Sequence, residues 1–94
     1  GNSSSLNDGA ALTVVTSHRY AKQNGLVPKA RILGFASAGV DPKIMGIGPV
    51  PAIKKLLSRH NLAINDFSRI EINEAFAAQV IAVAQELELN YDLL

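Results

Sequence analysis

A polar pair stands where a strand-like segment meets a helix-like segment. In IEINEAFAAQ, Ile70 and Ile72 alternate with polar residues, and Asn73 and Glu74 then open a run of small and apolar residues. Ligands of α/β proteins bind where strands end and helices begin. Asn73 therefore has two interpretations: part of a site, or a helix N-cap that accepts a bond from an N–H two or three residues on. Local sequence favours the cap, without a capping box because Phe76 occupies the third helical position.

Three other groups of residues resemble sites but lack a necessary companion. The serines at positions 3–5 have no His or Asp at triad-like positions, so they are expected to form a turn rather than act as nucleophiles. The segment that contains Gly46 and Gly48 does not continue into the Gly-Lys-Ser/Thr sequence of a phosphate-binding loop. His18 and His60 stand far apart, with no metal-ligand spacing to a carboxylate, and we expect no metal site.

Apolar runs predict three strands, and the segments after them predict helices. The strands are expected at residues 11–17, 30–38 and 69–73. A short helix should follow Ser17 and stop at Gly25, and a second should begin at Pro51 and end at Asn61. A third helix should run from about residue 74 to residue 89 and is apolar nearly all round, as buried helices are. This alternation predicts an α/β fold with a mostly parallel sheet.

Composition limits the class of protein. The chain has 94 residues, which allow one domain at most, and its 18% of charged residues is below the usual ~25%. The net charge of +1 gives no electrostatic case for nucleic acid, and without cysteine there is no disulfide framework. No long apolar run or signal peptide is present, so we expect a soluble cytoplasmic protein without a membrane segment.

Three motifs, in this order and at these spacings, resemble the thiolase family. They are NSSSLNDGAA, AGVDPKIMGIGPVPA and INEAFAAQ, and the resemblance extends from residue 1 to about residue 89. Val-Pro-Ala at 50–52 is similar to the biosynthetic, acetyl-CoA acetyltransferase branch, whereas degradative members tend towards Ala-Tyr-Ala there. The combination of three motifs makes the resemblance specific.

The resemblance implies roles for six residues. Asn73 corresponds to the asparagine that orients a water, which forms an oxyanion hole together with a histidine and stabilises the enolate of acetyl-CoA. Residues implied to line the acyl and pantetheine channel are Ser4, Leu6, Met45, Ala75 and Phe76. No cofactor is implied, since the coenzyme A thioester is itself the substrate.

The resemblance also implies parts that this sequence does not contain. A thiolase needs a nucleophilic cysteine, a Gly-His-Pro histidine and a second cysteine, and none of these occurs here. The chain begins with Gly1 rather than Met. We therefore expect residues 1–94 to be part of a thiolase C-terminal domain, without the N-terminal domain and the terminal His and Cys motifs, and to be inactive alone.

The expected parent enzyme condenses two acetyl-CoA to acetoacetyl-CoA and CoA, reversibly, as a homo-oligomer (dimer or tetramer). Its partners would be acetyl-CoA and acetoacetyl-CoA, with no nucleic acid and no membrane. Three alternatives remain open: a 3-ketoacyl-CoA thiolase of fatty-acid degradation, a non-catalytic acyl-CoA-binding or scaffold module, and an unrelated small α/β domain. Cysteine content in flanking sequence would separate the enzymes from the scaffold.

Overall fold

The computed structural model describes residues 2–94, and the regular structure there is helical. The α-helices are α1 (His18–Gln23), α2 (Pro49–His60) and α3 (Ala77–Glu86), and short 3₁₀ helices span Pro42–Ile47, Ile64–Asp66 and Tyr91–Leu93. None of the helices within residues 2–94 has the length and apolar character needed to cross a membrane.

Helix α1 begins and ends at the predicted residues. Ser17 is its N-cap, and the side chain of Ser17 accepts a hydrogen bond of 3.1 Å from the N–H of Tyr20. Gly25 follows the helix with φ 64°, a conformation that costs glycine little, and the N–H of Leu26 then bonds the carbonyl of Ala21 at 2.9 Å. The sequence prediction of this helix is confirmed.

Helix α2 begins two residues earlier than predicted because a 3₁₀ helix leads directly into it. Asp41 caps that 3₁₀ helix by accepting a 2.9 Å hydrogen bond from the N–H of Lys43. The predicted end is confirmed: Asn61 is left-handed at φ 52°, and the N–H of Leu62 bonds the carbonyl of Leu57 at 3.0 Å. Arg59 and His60 occupy the last turn, where the negative end of the helix dipole favours basic residues.

Helix α3 is shorter than predicted at both ends, and Asn73 is not its cap. Its N-cap is Phe76, which is extended (φ −142°, ψ 140°) and makes no side-chain cap bond. The cap interpretation of Asn73 is wrong because the backbone just before the helix pairs with residues 2–4 and is held extended. At the other end, Glu88 is left-handed (φ 52°) and the N–H of Leu89 bonds the carbonyl of Ala84 at 2.9 Å.

The hydrophobic core lies between α2, α3 and the segment that joins them. Val83 is fully buried, and the other buried members of the cluster are Val50, Ala84, Leu87 and Leu89. Partly buried isoleucines pack around this cluster: Ile47, Ile53, Ile64, Ile70 and Ile72. Helix α2 thus contributes Val50 and Ile53 to the core, and the predicted third strand contributes both of its isoleucines.

The mostly parallel sheet is not confirmed. The part of the chain that the structure describes has no strand ladder, only one isolated antiparallel bridge, between Ser3 and Phe76. Residues 11–17 and 30–38, predicted as strands, are not in a strand and are largely exposed, with Leu12 at 92% and Phe35 at 86%. The physical reason is that a strand's hydrogen bonds come from a neighbouring strand, and an apolar pattern cannot supply one.

Candidate functional site

A short backbone clamp joins the N-terminal motif to the segment that precedes α3. The N–H of Ser4 donates to the carbonyl of Ala75 at 3.0 Å, and the N–H of Ala77 donates to the carbonyl of Asn2 at 3.0 Å. The hydroxyl of Ser4 adds a 2.6 Å bond to the carbonyl of Glu74. Two motifs about 70 residues apart in sequence therefore meet side by side.

An open cleft of about 630 Å³ lies beside the clamp. Most of the lining side chains carry an amide or a hydroxyl: Asn2, Ser3, Ser4, Ser5, Asn7, Asn73, Glu74 and Ala77. The turn on one side is held by side chains, since the amide nitrogen of Asn7 donates to the hydroxyl of Ser5 at 3.0 Å. Glu74 is the only charged residue among those that line the cleft. The cleft is therefore polar and contains a single carboxylate.

The cleft contains groups that can orient a ligand but no activated nucleophile. Its hydroxyls and amides can donate and accept hydrogen bonds, whereas a serine needs an adjacent base to attack a substrate. Neither histidine lines it. The sequence has no cysteine, and residues 2–94 contain no cluster of acidic, histidine or cysteine side chains that could hold a metal.

The structure brings together four of the six residues implied by the resemblance. Asn73 and Ser4 line the cleft. Ala75 and Phe76 do not line it, but their backbones pair with residues 3 and 4 in the adjoining clamp. Phe76 remains 51% exposed. These four positions therefore lie close together around the clamp, and two of them line the cleft.

Leu6 and Met45 are not among the residues that line this cleft. Leu6 is fully exposed, and Met45 is 68% exposed on the Pro42–Ile47 helix, which packs against α3. Both apolar side chains are exposed and could contact a ligand, but within residues 2–94 neither lines the cleft that contains Asn73.

Sequence reasoning missed the backbone acceptors of the site. The carbonyls of Glu74 and Ala75 receive the bonds of Ser4, and no side-chain pattern reveals such acceptors. It also missed Asn7, although the spacing Ser-Leu-Asn is typical of a turn held by side chains.

A second, apolar groove of about 240 Å³ lies beside α2. It is lined by Ile32, Leu33, Gly34, Leu56, His60, Leu62 and Phe67. The imidazole of His60 lies directly against Gly34, where any side chain would clash with the ring. His60 thus has a packing role here, in agreement with its predicted place on a helix.

Comparison with known proteins agrees with the three motifs. The family described as "Thiolase, C-terminal domain" matches residues 26–94. The beta-ketoadipyl-CoA thiolase of Pseudomonas aeruginosa is 59% identical over 92 residues, which are 98% of this chain and 23% of that protein. The acetyl-CoA acetyltransferase of Cupriavidus necator is 57% identical over 86 residues, 92% of this chain and 22% of that protein.

A solved structure shows the same backbone arrangement. The crystal structure of the Bacillus anthracis acetyl-CoA acetyltransferase superposes with a TM-score of 0.80 and 55% identity, covering 82% of this chain and 20% of that one. The chain thus spans about a fifth to a quarter of the relatives that it matches, and the likeness supports an α/β thiolase C-terminal domain. On the family match and these identities, the chain belongs to the thiolase family.

Proposed function

We propose that this chain supplies the Asn73 side of the substrate site in an acyltransferase that condenses two acetyl-CoA to acetoacetyl-CoA and CoA, and catalyses the reverse thiolysis. The observation that carries the proposal is the clamp between residues 2–4 and 75–77. It places the hydroxyl-bearing N-terminal motif and Asn73 on one cleft. Membership of the thiolase family supplies the class of reaction.

In this proposal Asn73 acts by electrostatic stabilisation. Condensation forms an enolate of acetyl-CoA, whose thioester oxygen carries negative charge. Asn73 orients a water that, with a histidine from elsewhere in the enzyme, donates to this oxygen. A preorganised donor of this kind contributes about 3–4 kcal/mol in other enzymes. The exposed position of Asn73 along the cleft, where it is not needed as a helix cap, supports this role.

The proposal gives the remaining residues contacts along the bound thioester. Ser4 has a hydroxyl beside the cleft, and Ala75 and Phe76 offer apolar surface next to it. Leu6 and Met45 are exposed apolar side chains, which suit the uncharged acyl and pantetheine parts of the substrate.

The acyl group must be carried by a residue outside these 94 positions. The sequence has no cysteine and no Gly-His-Pro histidine, so the proposed nucleophile and its base belong to the larger enzyme. We therefore propose that residues 1–94 are part of a C-terminal domain and are inactive in isolation. A cytoplasmic homo-oligomer, dimer or tetramer, belongs to the same proposal, and sedimentation of the full-length enzyme tests its assembly.

A second candidate function is thiolysis of a 3-oxo dicarboxylic acyl-CoA. It is favoured by the 59% identity over 92 residues to a protein named beta-ketoadipyl-CoA thiolase. Such a substrate ends in a carboxylate, whereas acetoacetyl-CoA ends in a methyl group. If the acyl chain extends past Glu74 in the proposed site, the carboxylate of Glu74 would repel that end of the chain, and on this ground we place this candidate second.

The test compares CoA-dependent cleavage of acetoacetyl-CoA and 3-oxoadipyl-CoA by the full-length enzyme. We expect the higher kcat/KM with acetoacetyl-CoA, followed as loss of its enolate absorbance. A higher kcat/KM with 3-oxoadipyl-CoA would select the second candidate. If the full-length protein binds both CoA thioesters but cleaves neither, both enzymatic proposals fail and a non-catalytic acyl-CoA-binding module is indicated instead.

A further inference from the structure

A single residue, Ser4, holds two consecutive carbonyls of the segment before α3. Its hydroxyl donates to the carbonyl of Glu74 at 2.6 Å, and its backbone N–H donates to the carbonyl of Ala75 at 3.0 Å. In a regular antiparallel pair of strands, hydrogen-bonded and non-hydrogen-bonded positions alternate, so adjacent carbonyls do not share one partner. They share one here because the chain bends at Ala75. The hydroxyl of Ser4 thus binds a carbonyl that the two backbone hydrogen bonds of the clamp do not reach.

The peptide unit held by this hydroxyl is close in the chain to Asn73. Because peptide units are planar, only the two backbone dihedral angles of Glu74 separate the Glu74–Ala75 peptide from the Asn73–Glu74 peptide. On the other side of Asn73, Ile72 packs against the core. Asn73 and Glu74 themselves are exposed, so packing does not hold them in place. The backbone that carries the Asn73 side chain is therefore anchored by Ile72 before it and by Ser4 after it.

The direction of the Ser4 hydrogen bond limits what its hydroxyl can offer to a ligand. A serine hydroxyl has one proton, and Ser4 donates that proton to the carbonyl of Glu74. While this bond exists, Ser4 can accept a hydrogen bond from a ligand in the cleft but cannot donate one. Removal of the hydroxyl would therefore release the backbone next to Asn73 in addition to removing an acceptor for the ligand.

We infer that Ser4 is a positioning residue, whose hydroxyl orients Asn73 for the condensation step by holding the Glu74–Ala75 peptide. The inference deepens the proposed function and rests on it for the role of Asn73. Ser4 acts here through the backbone and not on the reacting atoms. It contributes to kcat, whereas a serine that only contacts the bound thioester would contribute to KM.

The test compares Ser4→Ala and Ser4→Thr in the full-length enzyme, with Ser17→Ala as the matched control. Ser4→Thr keeps the hydroxyl, and the exposed position of Ser4 has room for the additional methyl group. Ser17→Ala also removes a hydroxyl that bonds the backbone, at the N-cap of α1, and Ser17 does not line the cleft. The unfolding temperature, kcat and KM for condensation, and single-turnover acylation are measured for each variant.

We expect kcat for condensation to fall about tenfold in Ser4→Ala, the effect of one lost hydrogen bond, and to stay within about twofold of wild type in Ser4→Thr and Ser17→Ala. Acylation by Ser4→Ala should fall by less, because Asn73 is proposed to act on the enolate. The two alanine variants should lose similar amounts of stability, so that lost stability does not explain the lost rate. Wild-type kcat in Ser4→Ala, with or without a raised KM, would overturn the inference, as would an equal loss of kcat in Ser4→Thr or Ser17→Ala.

Crystal structures of the full-length enzyme test the inference without reference to activity. If the wild type condenses no acetyl-CoA, the proposed function fails, and the structures of the wild type and Ser4→Ala decide the role of Ser4. A reoriented Glu74–Ala75 peptide and a displaced Asn73 side chain in Ser4→Ala would support positioning, and an unmoved Asn73 would exclude it. If Ser4→Ala does not fold, the wild-type structure with bound CoA decides. A Ser4 hydroxyl within hydrogen-bond distance of the Glu74 carbonyl supports the inference, and one that has left it for the ligand overturns it.

Discussion

Replacing Asn73 by Asp in the full-length enzyme separates catalysis from folding. Helix α3 begins at Ala77, and its N-cap Phe76 has no side-chain bond, so the substitution removes no cap. Exposed substitutions of this kind change the free energy of unfolding by about 0.5 kcal/mol or less. For a domain of 150–250 residues this corresponds to roughly 1–2 °C in the unfolding temperature.

The expected effect on catalysis is far larger. In the proposed reaction, an aspartate would place a negative charge beside an oxygen that itself becomes negative in the condensation step. Loss of a single oxyanion donor lowers kcat by about 10²–10³, and the added charge should do no better. Acylation of the proposed cysteine nucleophile of the full-length enzyme should suffer less than condensation, because the proposed role of Asn73 is stabilisation of the acetyl-CoA enolate.

Thermal unfolding, single-turnover acylation and steady-state condensation are measured on one preparation. Asn65→Asp is the matched control, since Asn65 is exposed, precedes Asp66 as Asn73 precedes Glu74, and does not line the cleft. Near-wild-type condensation by a stably folded Asn73→Asp enzyme would refute the proposed role. A fall in unfolding temperature of many degrees, absent from Asn65→Asp, would show a structural role instead.

Three further predictions concern the stability of the isolated 94 residues, measured by urea unfolding. Ser4→Ala removes the 2.6 Å bond to the carbonyl of Glu74 and should destabilise the protein by about 0.5–1 kcal/mol, and an unchanged midpoint would show that the backbone bonds alone hold the clamp. Asn61→Ala places an alanine at φ 52° and should cost about 1 kcal/mol, whereas Asn61→Gly should cost little; equal values for the two would contradict the left-handed assignment. Val83→Ala empties part of the core at a fully buried position and should cost about 2 kcal/mol, with a loss below 0.5 kcal/mol indicating that this core is not formed in solution.

The helix ends that the sequence predicted correctly depend on local interactions. Ser17, Gly25 and Asn61 each end or begin a helix through backbone groups within about five residues. The residue type at such a position therefore predicts the local conformation directly. The beginning of α3 was predicted wrongly because its determinant is distant. Phe76 is held extended where residues 75–77 bond to residues 2–4, and nothing near Asn73 in sequence reveals that partner.

The same distinction applies to strands and to the site. Leu12 and Phe35 belong to β-branched and apolar runs, but their exposure shows that composition does not specify which neighbour a strand pairs with. Motif resemblance indicated Ser4 and Asn73 separately, and only the fold places both on one cleft.

The clamp has a consequence for the order of folding. Its side-chain bond joins residues 70 positions apart, and closing an unstructured loop of that length costs on the order of 4 kcal/mol in chain entropy. The three hydrogen bonds of the clamp together stabilise the closed loop by about 1.5–4.5 kcal/mol. This is no more than about the entropy cost, so these bonds alone do not keep the loop closed. We expect α2 and α3 to pack first, which reduces the length of unstructured chain that the clamp must close. The cleft should then form last. A nascent chain would therefore have no cleft until residue 77 has left the ribosome, however early its N-terminal motif emerges.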